Sequence, residues 1–181
     1  MKKALVIYHS STGNTEKVAQ AICLGLEEAG ILVDIKKPQS AVNVDYFKYD
    51  FVCIGSPSIQ WRPAKPLEDF LKSKLEECKK QGRIRPCAPK VTGKYALIFC
   101  TYSGPHTGLG EATPTGKYMA QFFEHIGFTI IAEWYILSEY HGNTENSTIG
   151  QMGDIRGKPT VEDLINIKEK ARVLAEKYSF V

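Results

Sequence analysis

The chain lacks a disulfide framework and a metal-ligand spacing. Its five cysteines (Cys23, Cys53, Cys78, Cys87, Cys100) are odd in number and never stand as C-x-x-C. They read as reduced thiols, not as staples or iron–sulfur ligands. The four histidines are scattered, without zinc spacing. No apolar run approaches the ~20 residues of a membrane span. Met1-Lys2-Lys3 precedes only a short apolar stretch, Ala4 to Ile7, and no small-residue cleavage site follows, so a secretion signal is not expected. These absences point to a cytoplasmic protein with no membrane partner. Two phosphate-binding signatures are missing as well. Gly13 does not begin G-x-x-x-x-G-K-[ST], and no G-x-G-x-x-G follows the first apolar run, so neither a P-loop lysine nor a dinucleotide turn is supported. Asp34, about 20 residues beyond that turn, where a dinucleotide fold keeps its ribose acid, is expected to face solvent. No Ser-His-Asp arrangement suggests nucleophilic catalysis.

What is present fits one soluble globular domain over residues 1–181: apolar residues make up 43% and charged residues 24% of the chain, ordinary values for that class. The net charge of +3 is concentrated. Lys79, Lys80, Arg83, Arg85, Lys90 and Lys94 fall within sixteen residues free of Asp and Glu. Such a run is commonly a solvated loop, and its sharper use is a docking patch for an acidic redox partner. No aromatics interleave it, which argues against nucleic acid.

Short runs rich in Val, Ile, Phe and Tyr alternate with helical patterns. Ala4–Tyr8, Ile31–Ile35, Phe51–Ile54, Tyr95–Cys100 and Thr129–Leu137 read as strands, and several are continuous apolar runs, as expected for parallel strands covered on both faces. Val18, Ala19, Ile22, Cys23, Leu26 and Ala29 form a helical stripe closed by Gly30. Leu67, Phe70, Leu71, Leu75 and Cys78 form a second. Thr113-Pro114 is expected to cap and open a third, running to about Ile126. Thr160 to Asp163 looks like a capping box ahead of a last helix with Leu164, Ile165, Ile167, Ala171, Leu174, Ala175 and Tyr178 on its face. Residues 41–49 hold at most a short turn. Alternating strands and helices predict an α/β sheet with right-handed crossovers.

The densest signal is Ser10-Ser11-Thr12-Gly13-Asn14-Thr15, between the first strand and the first helix. The leading N–H groups of a helix have no internal acceptor and sit at its positive end. A phosphate there is held without lysine or arginine. A plain cap needs one or two such residues, not six in succession.

This string resembles the FMN-phosphate loop of the flavodoxin family, T/S-x-T-G-N-T after the first strand, and the layout from Lys2 to about Tyr178 is similar. The resemblance implies a flavodoxin-like three-layer fold, a five-stranded parallel sheet in the order 2-1-3-4-5 with helices on both faces. It implies non-covalently bound FMN and electron transfer between partner proteins. The basic balance departs from the acidic habit of flavodoxins. After the third strand, Gly55, Ser56, Pro57, Ser58, Ile59, Gln60 and Trp61 resemble the second flavin loop, with Trp61 or Ile59 against the ring. After the fourth, Thr101, Tyr102, Ser103, Gly104 and His106 resemble the third, with Tyr102 as the aromatic. Residues 138–159 read as a long polar loop, a candidate lid, partner surface or dimer contact, with Tyr140 and His141 near the end of the fifth strand. Monomer and dimer both remain open. Two rivals stand beside the electron carrier: an NAD(P)H-dependent FMN or quinone oxidoreductase on the same fold, and a non-redox phosphate-ligand module.

Overall fold

A computed structural model of the chain describes residues 1–179. Five parallel strands run β1 (Lys3–Tyr8), β2 (Leu32–Lys36), β3 (Phe51–Ile59), β5 (Tyr95–Tyr102) and β6 (Thr129–Leu137), and a two-residue strand β4 (Arg62–Pro63) turns back onto β3. The order across the sheet is β2-β1-β3-β5-β6, with β4 paired only to β3. The expected order therefore holds for the five long strands, and β4 is a sixth that the residue pattern did not suggest. Five α-helices accompany them: α1 (Asn14–Glu28), α2 (Lys65–Lys80), α3 (Thr113–His125), α4 (Thr144–Thr148) and α5 (Val161–Ser179).

The strand pleat divides the core into two layers. Leu5, Ile7, Val52, Ile54 and Ile98 point toward α2 and α3 with Leu67, Met119 and Phe123. Ala4, Val6, Tyr8, Cys53 and Phe99 point toward α1 and α5 with Val18, Ile22, Ile167 and Ala171. Successive residues of a strand face opposite sides, so continuous apolar runs are what two covered faces require.

Several local expectations hold in atomic detail. At the end of α1, Gly30 N–H donates to the Glu27 carbonyl and Ile31 N–H to that of Leu26, the double closure that a left-handed glycine permits. At the start of α5, Thr160 N–H donates to Asp163 Oδ2 at 2.8 Å and Asp163 N–H to Thr160 Oγ1 at 3.1 Å, a reciprocal capping box. Between β2 and β3 there are only the short turns Pro38–Ser40 and Tyr46–Lys48. Asp34 is exposed and accepts from the Tyr49 hydroxyl.

Other expectations need correction. The cap of α3 is Ala112, with Thr113 already helical and its hydroxyl turned back to the Leu109 carbonyl. Ile165 faces solvent, not the core. Residues 138–159 are not a structureless loop. They contain α4 and are tied down: Gln151 N–H donates to the Pro105 carbonyl, Ile155 N–H to Ser147 and Glu139 N–H to Lys158. Ile155 and Ser147 are buried. Gly25 is also more than a helix residue. A Cβ there would overlap the Lys168 carbonyl and Ala171, so the glycine lets α1 and α5 touch backbone to backbone.

Among the described residues, no helix is long and apolar enough to cross a membrane, and no three His, Cys, Asp or Glu side chains are grouped to hold a metal ion.

Candidate functional site

In an open parallel sheet, ligands lie beyond the carboxyl ends of the strands, where the chain order reverses. Here that point is between β1 and β3. The turn after β1 carries the candidate phosphate loop. Gly13 caps α1 in the left-handed region, φ +97°, and supplies no side-chain acceptor. Its own N–H is taken by Ser10 Oγ at 3.0 Å. The first intrahelical bond is Lys17 N–H to the Gly13 carbonyl, so Asn14, Thr15 and Glu16 present the uncapped N–H groups of the helix end. An anion is the natural partner for such a terminus.

The neighbouring side chains hold this turn in place. Thr15 Oγ1 lies 2.7 Å from Thr101 Oγ1, joining the loop after β1 to the end of β5. Asn14 Nδ2 donates to the Glu139 carbonyl at 3.2 Å and lies 3.4 Å from His141 Nε2. Glu16, in the first turn of α1, would oppose an anion. Its carboxylate accepts from the Tyr8 hydroxyl and from Lys37 Nζ at 3.1 Å, and these two bonds hold its carboxyl below the usual range. Lys37 also covers the Tyr8 ring, 3.9 Å from its centre. Burial, then the nearby Lys37 charge, pushes the His9 imidazole down.

The second expected loop is a hairpin. β3 continues to Ile59, and Gln60 and Trp61 turn the chain with φ of +49° and +64°, so that Ile59 pairs with Arg62. Two successive positive φ values belong to the tight turn whose twist matches a hairpin. Neither residue is a glycine, so the turn carries strain. Gly55 is needed by the sheet and not by a ligand: a Cβ there would run into the Phe99 ring. Ser56 is fully buried and accepts from Ala64 N–H. Ser58 Oγ donates to the Glu111 carbonyl at 2.6 Å and sits 2.8 Å from Thr115 Oγ1.

After β5, Ser103 Oγ donates to the Ser138 carbonyl at 2.8 Å. Gly104, at φ +57°, has Gly108 backbone atoms where a Cβ would stand. The His106 and Thr107 N–H groups both bind Glu111 Oε1.

These turns enclose a cleft of about 150 Å³. Ser11, Thr12, Asn14, Thr15, Pro57, Ser58, Ile59, Thr101, Tyr102 and Ser103 line it, as expected from the sequence. Ser10, Gly13, Ser56, Trp61, Gly104 and His106 do not line it. Trp61 stands at the hairpin tip, 63% exposed, and His106 is an exposed turn residue. Four further residues line it: Ser138, Glu139, Tyr140 and His141, of which Tyr140 and His141 were expected near the end of the fifth strand, in a candidate lid, and not as cofactor contacts. Their signal was their position directly after the last strand. Burial pushes the Tyr102 phenol up, which keeps it a neutral, aromatic wall. The cleft thus combines an uncapped helix terminus, aromatic and aliphatic walls, and many backbone and hydroxyl groups. That suits a phosphate-bearing planar ligand, and the residues present fit FMN.

The basic segment lies elsewhere. It connects the end of α2 to the start of β5, at the amino edge of the sheet. The eight residues of β5, at ~3.3 Å each, put it more than about 20 Å from the cleft. Four of its six cations are engaged: Lys79 with Glu76, Arg83 with Gln81 and the Phe47 ring, Lys90 with the Phe128 carbonyl, and Lys94 with the Tyr49 carbonyl.

A family model for the flavodoxin domain matches residues 5–82. Proteins named NAD(P)H dehydrogenase (quinone) are similar along the whole chain. The one from Bradyrhizobium diazoefficiens is 40% identical and the one from Nitrobacter winogradskyi 38%, each over 97% of this chain and 96% of the relative. Among solved structures, oxidised flavodoxin 2 from Bacillus cereus superposes with a TM-score of 0.66 over 97% of this chain and 99% of its own, at 18% identity. The phosphate-loop string, the β2-β1-β3-β5-β6 sheet and these full-length relatives agree: the chain belongs to the flavodoxin-like family, the FMN-binding flavoproteins that include the NAD(P)H dehydrogenases (quinone).

Proposed function

We propose that this protein binds FMN in the cleft at the β1/β3 switch point and moves electrons through it. The observation that carries the reading is the uncapped terminus of α1, opening onto the same cleft as the ends of β3 and β5. The N–H groups of Asn14, Thr15 and Glu16 hold the phosphate. Pro57, Ile59, Tyr102 and Tyr140 supply the walls for the ring, and Asn14 and His141 fasten the last loop over the phosphate end. FMN supplies the one- and two-electron chemistry. The chain's own task is to orient it, keep water from its inner face and leave one edge open. Trp61 and His106 receive no contact in this assignment. The whole chain acts as one unit of fold and function, in the cytoplasm.

Partner proteins exchange electrons at the open carboxyl edge. An acidic partner drawn to residues 79–94 would arrive at the opposite edge, so that segment is assigned to encounter and not to transfer. A second reading, NAD(P)H-dependent quinone reduction, is favoured by the names of the full-length relatives.

The test is a visible absorption spectrum of the purified protein followed by FMN titration. Flavin bands and stoichiometric binding are expected, and Thr12→Asp with Thr15→Asp should weaken binding by placing negative charge at the phosphate. A colourless protein that ignores added FMN removes the proposal. Steady NAD(P)H oxidation with a quinone separates the enzyme from the carrier.

A further inference from the structure

Glu16 is a carboxylate placed to compete with the phosphate. It is the third residue of α1, which begins at Asn14. A glutamate at this position ordinarily folds back onto the start of its own helix, where it satisfies a leading N–H and gains from the positive end of the dipole. In this chain such a fold-back would set a negative charge on the N–H groups that the phosphate needs.

The surroundings of Glu16 turn it the other way. Ser10 Oγ already accepts from the Gly13 N–H, at 3.0 Å, which is the bond a folded-back glutamate would make. The Tyr8 hydroxyl, at the end of β1, donates to Glu16 Oε1. Lys37 Nζ, just past β2, donates to the same oxygen at 3.1 Å. Tyr8 and Lys37 also hold each other, the ammonium lying 3.9 Å from the ring centre. Their shares differ. Tyr8 is 4% exposed, so its hydroxyl has a fixed place at the sheet edge. The Lys37 side chain is 44% exposed, and water and salt weaken its pull. Burial, and then the bond to Glu16, push the Tyr8 phenol up, so it remains a neutral donor at ordinary pH.

We propose that the Tyr8 hydroxyl, aided by Lys37, holds the Glu16 carboxylate off the terminus of α1 and so sets the preference of the cleft for a phosphorylated flavin over riboflavin. The inference rests on the FMN reading. Neither Tyr8 nor Lys37 lines the cleft. They are positioning residues that act on the phosphate through Glu16. Without them the carboxylate is free to swing onto the Asn14, Thr15 and Glu16 N–H groups, and an incoming phosphate must first displace it. Riboflavin carries the same ring and no phosphate, so it does not meet this competitor.

The experiment is a pair of fluorescence titrations, with FMN and with riboflavin, on FMN-free protein. Tyr8→Phe keeps the ring and the net charge and removes only the hydroxyl. It should weaken FMN binding about two- to fivefold, the range of a single charge at a helix end, and leave riboflavin affinity unchanged. Lys37→Met should act in the same direction and lose its effect at high salt, while Lys37→Arg should keep the parent's affinity. Glu16→Ala removes the competitor. FMN should then bind at least as tightly as to the parent, and adding Tyr8→Phe should change nothing. Equal losses of FMN and riboflavin affinity in Tyr8→Phe would make Tyr8 a packing residue and overturn the inference. So would an FMN loss as large in the Glu16→Ala background as in the parent, or unchanged FMN affinity when Tyr8→Phe and Lys37→Met are combined. A parent that binds riboflavin as tightly as FMN also overturns it. In all of these the FMN reading survives, whereas a parent that binds neither flavin removes both.

Discussion

Substituting Gly13 by alanine separates the phosphate loop from the rest of the fold, because Gly30 provides a matched control. Both glycines sit at positive φ, +97° and +77°, and a Cβ built on either meets nothing within 4 Å. The cost of alanine is therefore backbone strain without collision, about 1–2 kcal/mol at each site. For a chain of this length that lowers Tm by about 2–4 °C per kcal/mol, so both variants should melt roughly 2–8 °C lower than the parent. Their ligand behaviour should differ. Gly30 closes α1 at the amino edge, and its strain is the same with or without FMN. Gly13 shapes the turn whose N–H groups face the phosphate. In the free protein that turn relaxes to relieve the alanine, and binding must restore it. Up to the full strain is then lost from affinity, about 5–30-fold. Differential scanning calorimetry and fluorescence titration with FMN measure the two quantities. Equal FMN affinity in Gly13→Ala and Gly30→Ala, with both destabilised, would refute the placement of the anion at this terminus.

Gly55→Ala should cost about 1–3 kcal/mol in urea unfolding, since the new methyl must displace the fully buried Phe99; the double variant with Phe99→Leu should recover part of that loss, and strictly additive costs would disprove the clash. The His9 imidazole is held below its ordinary value of 6.5 by burial and then by Lys37. Its folded form favours neutrality, so its stabilising effect is complete above that value and is lost as the pH falls through the lower folded-state value. Urea midpoints taken from about pH 7.5 to 5 should fall more steeply in the parent than in His9→Gln, and parallel curves would contradict the assignment. Thr160→Ala removes one arm of the α5 capping box and should cost about 1 kcal/mol, read as a shift of the chemical-denaturation midpoint; no shift would show that the box does not hold the helix end.

The parts of the fold that were legible in the sequence are those fixed by neighbours along the chain. The five long strands were readable because each is a short segment rich in Val, Ile, Phe and Tyr, several of them continuous apolar runs. The end of α1 and the start of α5 were readable because Gly30 and the Thr160–Asp163 pair act within five residues. The hairpin was not. Gln60-Trp61 carries none of the Asn-Gly or Asp-Gly chemistry that normally marks such a turn, and it is imposed by the pairing of Ile59 with Arg62 and by α3 behind it. The order in residues 138–159 was hidden for a similar reason. Its decisive bonds, from Gln151 to Pro105 and from Asn14 to Glu139, join residues far apart in sequence. Within the site, loops named by their similarity to flavodoxins do converge, yet Ser56 and Ser58 spend their hydroxyls on internal partners, and Trp61 stands off the cleft. Residue type gave the chemistry available, and long-range contacts decided which groups face the opening.

Parallel strands also gather the chain's beginning and its last helix on one side of the molecule, where the Lys2 ammonium reaches the Tyr178 carbonyl at 2.8 Å. That bond ties the residue ahead of β1 to the last turn of α5 and closes the amino edge of the sheet, away from the cleft. An insertion in the turn around Gly82, at the same edge, would leave the cleft untouched. A fluorescent tag or a fused enzyme attached there would stand on the edge opposite the cleft, within the basic segment assigned to partner encounter.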